Sequence, residues 1–463
     1  MTYLQQIQTM FRNIVLNATG AERDFLTLLN DGDIDKALAM MQDRSEEVEQ
    51  AIREYYPVTH EVMNRRNKIR KNREPYEVEK LPRARQKYIN EIELFFLLGA
   101  NVLYETDDAN NPAYELFTKF VKDHHIHDIH RTLKRSAGAE TEASIIYHLY
   151  NNNGNIDCKV YVASRKKGFE TRTLFDRYGT LLAAAYGSKV KRGKDTVQTW
   201  EIHTKDIIFD CEKSRLGWEV EQRENIAHKI TVIYSIQEKP WSGVESRINR
   251  EEFIDSKAAD TNNYFADPVA YATADVVSLL GDKTEQIGTL LQYTSEKSKF
   301  GYIAPPQDSA SRQEERQNLK NSILFDTFTP DLSYESIKGL GSLSGEAIEN
   351  SLILGFIKRD MRIEIYGELF EREVNVIKSI LKLMHPEQAA NIDRLSVEVK
   401  FQSPFSNQKT ALWASICNLY KSGLLSLETA VNMLALTKAP QKEIDRLKES
   451  ANKENSIKNN NIQ

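Results

Sequence analysis

Ile337-Lys-Gly-Leu-Gly-Ser-Leu-Ser-Gly345 is a run of small residues that leads straight into Ser344–Met384, forty-one residues without a proline. The first part reads as a loop. Gly339, Gly341 and Gly345 alternate with Leu340, Ser342, Leu343 and Ser344, a composition that changes backbone conformation at little cost. Lys338 is the only charge between Ile337 and Gly345. The second part reads as one long helix, which would measure ~60 Å at 1.5 Å per residue. Tyr366, Phe370, Val374, Ile377, Leu381 and Met384 recur at i+3 and i+4 steps and form a single apolar stripe. Gly355 and Gly367 are poor helix formers and mark expected kinks. Pro386 ends the pattern.

Working outward, Ser311–Asp326 reads as a charged helix and Gly243 to about Tyr264 as another. The mixed segment between them closes with the extended piece Phe300–Pro306. Residues 140–240 have a different character. Ile145–Tyr150, Cys158–Ala163, Val197–His203 and Lys229–Gln237 are short and rich in Val, Ile, Thr and Tyr. Turn residues at Asn151–Gly154, Lys167-Gly168, Tyr178-Gly179 and Arg192-Gly193 separate them. That alternation predicts antiparallel strands. Towards the N-terminus, residues 1–56 read as helical, with Asp33 as N-cap of a helix over Ile34–Arg53 that Pro57 ends. Residues 58–88 read as extended or irregular, and Gln86–Leu98 as a helix capped by Gly99. Beyond Pro386 the pattern predicts a strand at Leu395–Phe401 and three short helices. Gly423 closes the first, Ser426 caps the second, Pro440 opens the third, and a polar tail read as disordered follows Asn452. The fold class is α+β, without an internal repeat.

A chain of 463 residues exceeds one ordinary core, which stops growing near ~250–300 residues. Its longest greasy run, Leu94-Phe-Phe-Leu-Leu98, is far short of the ~20 apolar residues that span a bilayer. Met1–Ile7 lacks the basic and apolar regions of a signal peptide. Cys158, Cys211 and Cys417 are too scattered for a disulfide framework or a C-x-x-C metal site, which favours a reducing cytoplasm. A net charge of −5 argues against a protein that wraps nucleic acid in Lys and Arg.

Motifs for chemistry mostly fail on inspection. Asp31, Asp33 and Asp35 resemble the start of a calcium loop, but Lys36 occupies the glycine position and Gln42 that of the bidentate Glu. Gly187 to Lys194 resembles a phosphate loop, but its glycines are one residue too far apart and Asp195 replaces the magnesium-binding hydroxyl. A hairpin turn fits better. In Gly341-Ser-Leu-Ser-Gly345, Leu343 sits where a hydrolase elbow needs its nucleophile. His124, His125, His127 and His130 form a cluster in which His127 and His130 can share a helix face. A polar helix face is preferred there to a metal site, and imidazole also allows a pH response. The basic run Arg65, Arg66, Lys68, Arg70, Lys71, Arg73 is flanked by Glu61, Glu74, Glu77 and Glu79. It reads as a solvated or intersubunit face before a DNA contact. No catalytic residue, cofactor or metal is assigned.

Three stretches, in this order, resemble the portal proteins of tailed bacteriophages, closest to the siphophage type. Leu81-Pro-Arg-Ala-Arg-Gln-Lys-Tyr-Ile-Asn-Glu-Ile-Glu-Leu-Phe-Phe-Leu-Leu-Gly99 resembles the family's wing helix. Thr329-Pro-Asp-Leu-Ser333 through Leu343-Ser-Gly-Glu-Ala-Ile348 is similar to its tunnel loop and the start of its tunnel helix. Gly423-Leu-Leu-Ser-Leu-Glu-Thr-Ala430 with Glu443–Leu447 resembles its crown helices.

The resemblance implies a mixed wing (1–240), a stem helix (241–265), a small α/β clip (266–310), a second stem helix (311–330) and a tunnel loop (331–346). A tunnel helix with the return to the wing (347–385) and a helical crown with a polar tail (386–463) complete it. Ile337–Gly345 would face the DNA channel. It further implies a homo-oligomeric ring of about twelve copies, closed by head-to-tail contacts. The ring would sit at the portal vertex of a capsid, be assembled in the host cytoplasm, and pass double-stranded DNA in packaging and ejection. Implied partners are the terminase large subunit, a head-completion adaptor, scaffold and the major capsid protein, with no membrane. A mildly acidic chain suits a pore, because tight phosphate contacts would arrest sliding. The competing readings are another head-tail adaptor or capsid-associated protein, and a nuclease or helicase. The last would need the carboxylate cluster or phosphate loop that the motif search does not find.

Overall fold

The computed structural model describes residues 20–67, 77–108, 110–192, 195–266, 270–272, 300–302, 309–334, 336, 338, 352–404, 408–434, 441 and 443–447. They fall in two units, one of residues 1–331 with 352–402 and a smaller one of 332–351 with 403–463.

In the larger unit, α1 (Gly20–Asn30), α2 (Ile34–Met40) and α3 (Ser45–Tyr55) come first. The single helix expected over Ile34–Arg53 is therefore two. The break falls where the Gln42 N–H donates to the Thr173 carbonyl at 2.8 Å, which draws the chain out as a β-bridge. Asp33 makes no side-chain cap bond and instead pairs with Lys36 at 2.7 Å. Pro57 opens a short 3-10 turn, as a residue without an amide donor can.

The helix α4 (Arg85–Leu98) follows, then β1 (Leu103–Glu105), α5 (Pro112–Asp123) and α6 (Ile126–Glu140). Gly99 does terminate α4, but with φ −62° and not in the left-handed region. A Cβ there would lie 2.3 Å from the Phe95 carbonyl oxygen.

The strands come next: β2 (Glu142–Asn152), β3 (Asn155–Ala163), β4 (Phe169–Phe175), β5 (Leu181–Arg192), β6 (Asp195–Thr204), β7 (Ile207–Ser214), β8 (Gly217–Glu224) and β9 (Val232–Ile236). The expected antiparallel region is two sheets, ordered β3-β2-β9 and β4-β5-β6-β7-β8. Asn153 and Gly154 both have positive φ and close the β2–β3 hairpin, as an Asn-Gly turn requires. The phosphate-loop look-alike is the β5–β6 hairpin. Its Gly187 is needed because a Cβ would meet the Trp200 ring at 2.6 Å. Phe25, Leu26, Leu29, Ile34 and Leu38 of α1 and α2 cover one face of the five-stranded sheet around Trp200, Ile202 and Phe209.

Then come α7 (Glu245–Ala266), the strand pair β10 (Ala270–Ala272) with β11 (Phe300–Tyr302), and α8 (Ser309–Asp326). α7 and α8 run antiparallel: Arg247 pairs with Asp326 at one end, and Asp255 with Arg316 at 3.4 Å further along. The helix α9 (Ile353–Met384) is the longest described. It begins nine residues later than the pattern over Ser344–Met384 predicts. Leu352 is a turn residue, and 344–351 lie outside the described residues. α9 passes through Gly355 and Gly367 without a break. The Gly355 backbone lies against the Phe96 ring, where a Cβ would approach to 2.4 Å.

α10 (Ala389–Arg394) and β12 (Glu398–Lys400) still belong to the larger unit. β12 pairs antiparallel with β1 and ties residues 398–400 to 103–105. The smaller unit thus takes in the C-terminal region from Ser403, not from Pro386. It contains α11 (Gln408–Lys421) and α12 (Leu427–Leu434). Gly423 (φ +76°) turns the chain after α11, and Ser426 Oγ accepts the Thr429 N–H at 3.1 Å as the cap of α12. Pro440 and the polar tail lie outside the described residues.

Candidate functional site

Of the loop residues expected to line a channel, Lys338 is described and exposed. Ile337, Gly339, Leu340, Gly341, Ser342, Leu343, Ser344 and Gly345 lie outside the described residues. The geometry on either side of that loop is clearest in the larger unit, where α7, α8 and α9 meet α4 and α6.

One face of α7 is acidic and buried: Glu251, Glu252, Asp255 and Asp260, with Ser256. These carboxylates receive the irregular segment that precedes α4. The backbone N–H groups of Glu79, Leu81 and Arg83 donate to Asp260, Ser256 and Glu252 at 2.7, 3.0 and 2.8 Å. Arg85 binds Glu251 bidentately at 2.6 and 2.8 Å, and His60 meets Glu252 at 2.6 Å. An extended segment has no partners of its own for its amides, and α7 supplies them. Arg65, first of the basic run, is consumed here, 2.6 Å from Asp260. Arg66 is exposed, and Lys68 to Arg73 lie outside the described residues.

A second charged centre joins α4, α6 and α9. Glu93 is 1% exposed and faces three cations, Lys134 at 2.8 Å, Arg362 at 3.0 Å and Lys358 at 3.4 Å. Burial opposes ionisation of Glu93, but Lys134, Lys358 and Arg362 outweigh it and hold the carboxyl down at about 2. Lys358 is pulled the other way. Burial and the neighbouring cations exceed the attraction of Glu93 and bring it down to about 8. Its Nζ also reaches the Pro240 carbonyl (3.3 Å) and Thr329 Oγ1 (3.4 Å), just before α7 and just after α8. One lysine of the long helix thus ties together the bases of the helix pair.

The histidine cluster resolves into core and surface. His130 is buried, with Nε2 2.5 Å from Glu373 Oε2 and its ring stacked on Phe370 at 3.9 Å between centroids. Tyr147 Oη donates to the other Glu373 oxygen at 2.5 Å. The expected polar helix face is wrong for His130, which the i+3/i+4 pattern of Ile126, Leu133 and Ala137 on α6 carries into the core. Burial lowers the pKa of His127 and of His124. Among the described residues no group of three His, Cys, Asp or Glu side chains could hold a metal ion; of the calcium look-alike, Asp31 and Asp33 precede α2 and Asp35 lies in its first turn. No described helix is long and apolar enough to cross a membrane.

Sequence reasoning missed the Glu93 centre. Its signal was present: Lys358 and Arg362 precede Tyr366 and Phe370 at four-residue steps, so the stripe that buries the aromatics also carries the two cations.

The family described as "Phage portal protein, SPP1 Gp6-like" matches residues 34–456. The chain belongs to that family of bacteriophage structural proteins, components of the virus particle at its capsid. Solved structures similar to it include the "Neck of native GTA particle computed with C12 symmetry" (10% identity, 76% of this chain and 91% of that one, TM-score 0.43). Another is the "Neck of empty GTA particle computed with C6 symmetry" (8%, 86% and 95%, 0.44). A third is the "Virion of native gene transfer agent (GTA) particle" (9%, 86% and 95%, 0.41). No curated protein matches the chain.

Proposed function

We propose that this chain is the subunit of a ring-shaped channel at one capsid vertex. It would conduct double-stranded DNA during packaging and ejection and present docking surfaces to terminase and to head-completion proteins. The observation that carries the reading is the family match over residues 34–456. In this reading the two sheets and helices before residue 240 form the wing, α7 and α8 the stem, and β10 with β11 part of the clip. Ile337–Gly345 is the tunnel loop, α9 the tunnel helix, and α11 and α12 belong to the crown.

The surface chemistry supports a conduit that does not grip DNA. The exposed positions in the C-terminal half of α9 carry Glu368 and Glu371, and none of the helix's lysines or arginines is fully exposed. Carboxylates at such positions repel phosphate and leave no row of cations to hold it. Lys338, which the structure places in a helical turn, supplies one exposed positive charge per subunit at the start of the segment Ile337–Gly345.

The test is electron microscopy of the purified chain together with its solution mass. The expected result is rings with an open centre and a mass near twelve times 53.2 kDa. A compact closed dimer without a pore would overturn the reading and favour an adaptor.

A further inference from the structure

The N-terminal half of α9 is turned inside out. It buries Lys358 and half-buries Arg362, while Ile353, Ile357, Met361 and Ile365 are 38–55% exposed. These four apolar side chains recur every fourth residue, so they form one ridge about 18 Å long on the outer face. A helix that hides its cations and shows its isoleucines has an apolar face that no described residue of the subunit covers.

A second apolar feature lies at the end of α8. Phe325 is 66% exposed and Phe328 is 38% exposed. The chain turns there in a Schellman arrangement: the Thr329 N–H donates to the Leu324 carbonyl at 2.8 Å and the Phe328 N–H to that of Phe325 at 3.0 Å. The left-handed position is normally glycine, yet here Phe328 has φ +50°. A bulky side chain is disfavoured in that conformation. The sequence retains it, and so projects two aromatic rings from the turn.

We propose that the Phe325/Phe328 knob of one subunit packs on the Ile353–Ile357–Met361–Ile365 ridge of the next copy, as the head-to-tail contact that closes the ring. This rests on the ring reading above and names its interface. Three observations favour a second copy. Ridge and knob are different surfaces of one chain, which is what a heterologous contact needs.

Charge complements the fit as well. Asp360 and Glu364 flank the ridge. Arg247 and Arg250, half-exposed beside the knob, keep guanidinium donors beyond those used by Asp326 and Glu315. Finally, a ridge of four side chains is smaller than the ~800 Å² per partner of a stable binary complex. It suits a contact that each subunit makes twice and that ring closure reinforces.

The test is disulfide trapping in the full chain carrying Cys417→Ser, which removes the exposed native thiol, Cys158 and Cys211 being buried. Ile357→Cys with Phe328→Cys is expected to give, on oxidation, a ladder of covalent oligomers up to the ring. Either single substitution should give none. Separately, Met361→Asp should lower the ring fraction about tenfold at equal concentration, as loss of a central apolar contact does, with an unchanged circular dichroism spectrum and melting temperature. Rings that persist in Met361→Asp, or a double variant that bridges only within one chain, would overturn this interface and leave the ring reading intact. A closed two-fold dimer of the unmodified chain would overturn both.

Discussion

The two halves of α9 solve opposite problems on one helix. From Tyr366 to Leu381 it behaves as the sequence pattern says: Tyr366, Phe370, Val374, Ile377 and Leu381 are buried, and Glu368 and Glu371 face outward. From Ile353 to Ile365 the polarity is reversed around Glu93, and stability depends on charge compensation instead of apolar burial. The same backbone therefore has one half locked into its own subunit and another whose outer face is left for assembly. Apolar burial is insensitive to pH. A buried carboxylate among three cations is not.

The largest contrast is expected between Phe370 and Ile357. Phe370 has no exposed surface and stacks between His130 and Phe401, with ring centroids at 3.9 and 5.7 Å. Phe370→Ala should cost about 3–5 kcal/mol, as large-to-small changes in a packed core do. Ile357→Ala, on the outer face, should change the stability of the isolated subunit by less than about 0.5 kcal/mol. Urea unfolding of both variants checks this. Equal losses would mean that the ridge is covered within the subunit and would erase the comparison.

Glu93→Gln tests the other half. Removing the carboxylate that Lys134, Lys358 and Arg362 share leaves buried cations uncompensated, a change that typically costs about 3–5 kcal/mol. The pH dependence gives the signature. The folded pKa of about 2 lies below the ordinary 4.5, so the stabilisation from Glu93 is fully present above pH ~4.5 and lost as pH falls towards 2. Wild type and Glu93→Gln should differ most near pH 6 and converge near pH 2. A constant difference across that range would place the stabilisation in packing and not in charge.

The C-terminal half of α9 was legible because its i+3/i+4 spacing and its burial are the same fact. So were the antiparallel strands, the Gly423 turn and the Ser426 cap, each set by residues close in sequence. What was not legible depends on distant partners. Nothing near Gln42 announces that Thr173, more than a hundred residues away, takes its amide and splits the expected helix. Nothing near Arg65 says that Asp260 neutralises it. His130 looked like part of a polar cluster because its neighbours in sequence are polar, whereas Phe370 and Glu373 decide its environment. As for the segment Ile337–Gly345, its Gly-Ser composition was readable, but composition specifies freedom and not position.

Lys358→Met is the finest test, because its opposing effects nearly cancel. The substitution removes a charge that burial penalises. It also takes one of three cations from Glu93 and one donor from the Pro240 carbonyl and Thr329 Oγ1. Two cations for one carboxylate remain, and a methionine of similar length can fill the space. The net change at pH 7 should therefore stay within about 1 kcal/mol. The sign of its pH dependence is fixed. The folded pKa of about 8 lies below 10.5, so the unfolded chain holds the proton more tightly, and the penalty on this lysine is relieved as pH rises from 8 to 10.5. Wild type should thus gain on the variant between pH 7 and pH 9.5 in parallel urea titrations. A loss as large as that of Glu93→Gln, equal at both pH values, would show that Lys358 acts as the clamp between α9 and the bases of α7 and α8, and that the inverted half of the helix needs all three of its cations.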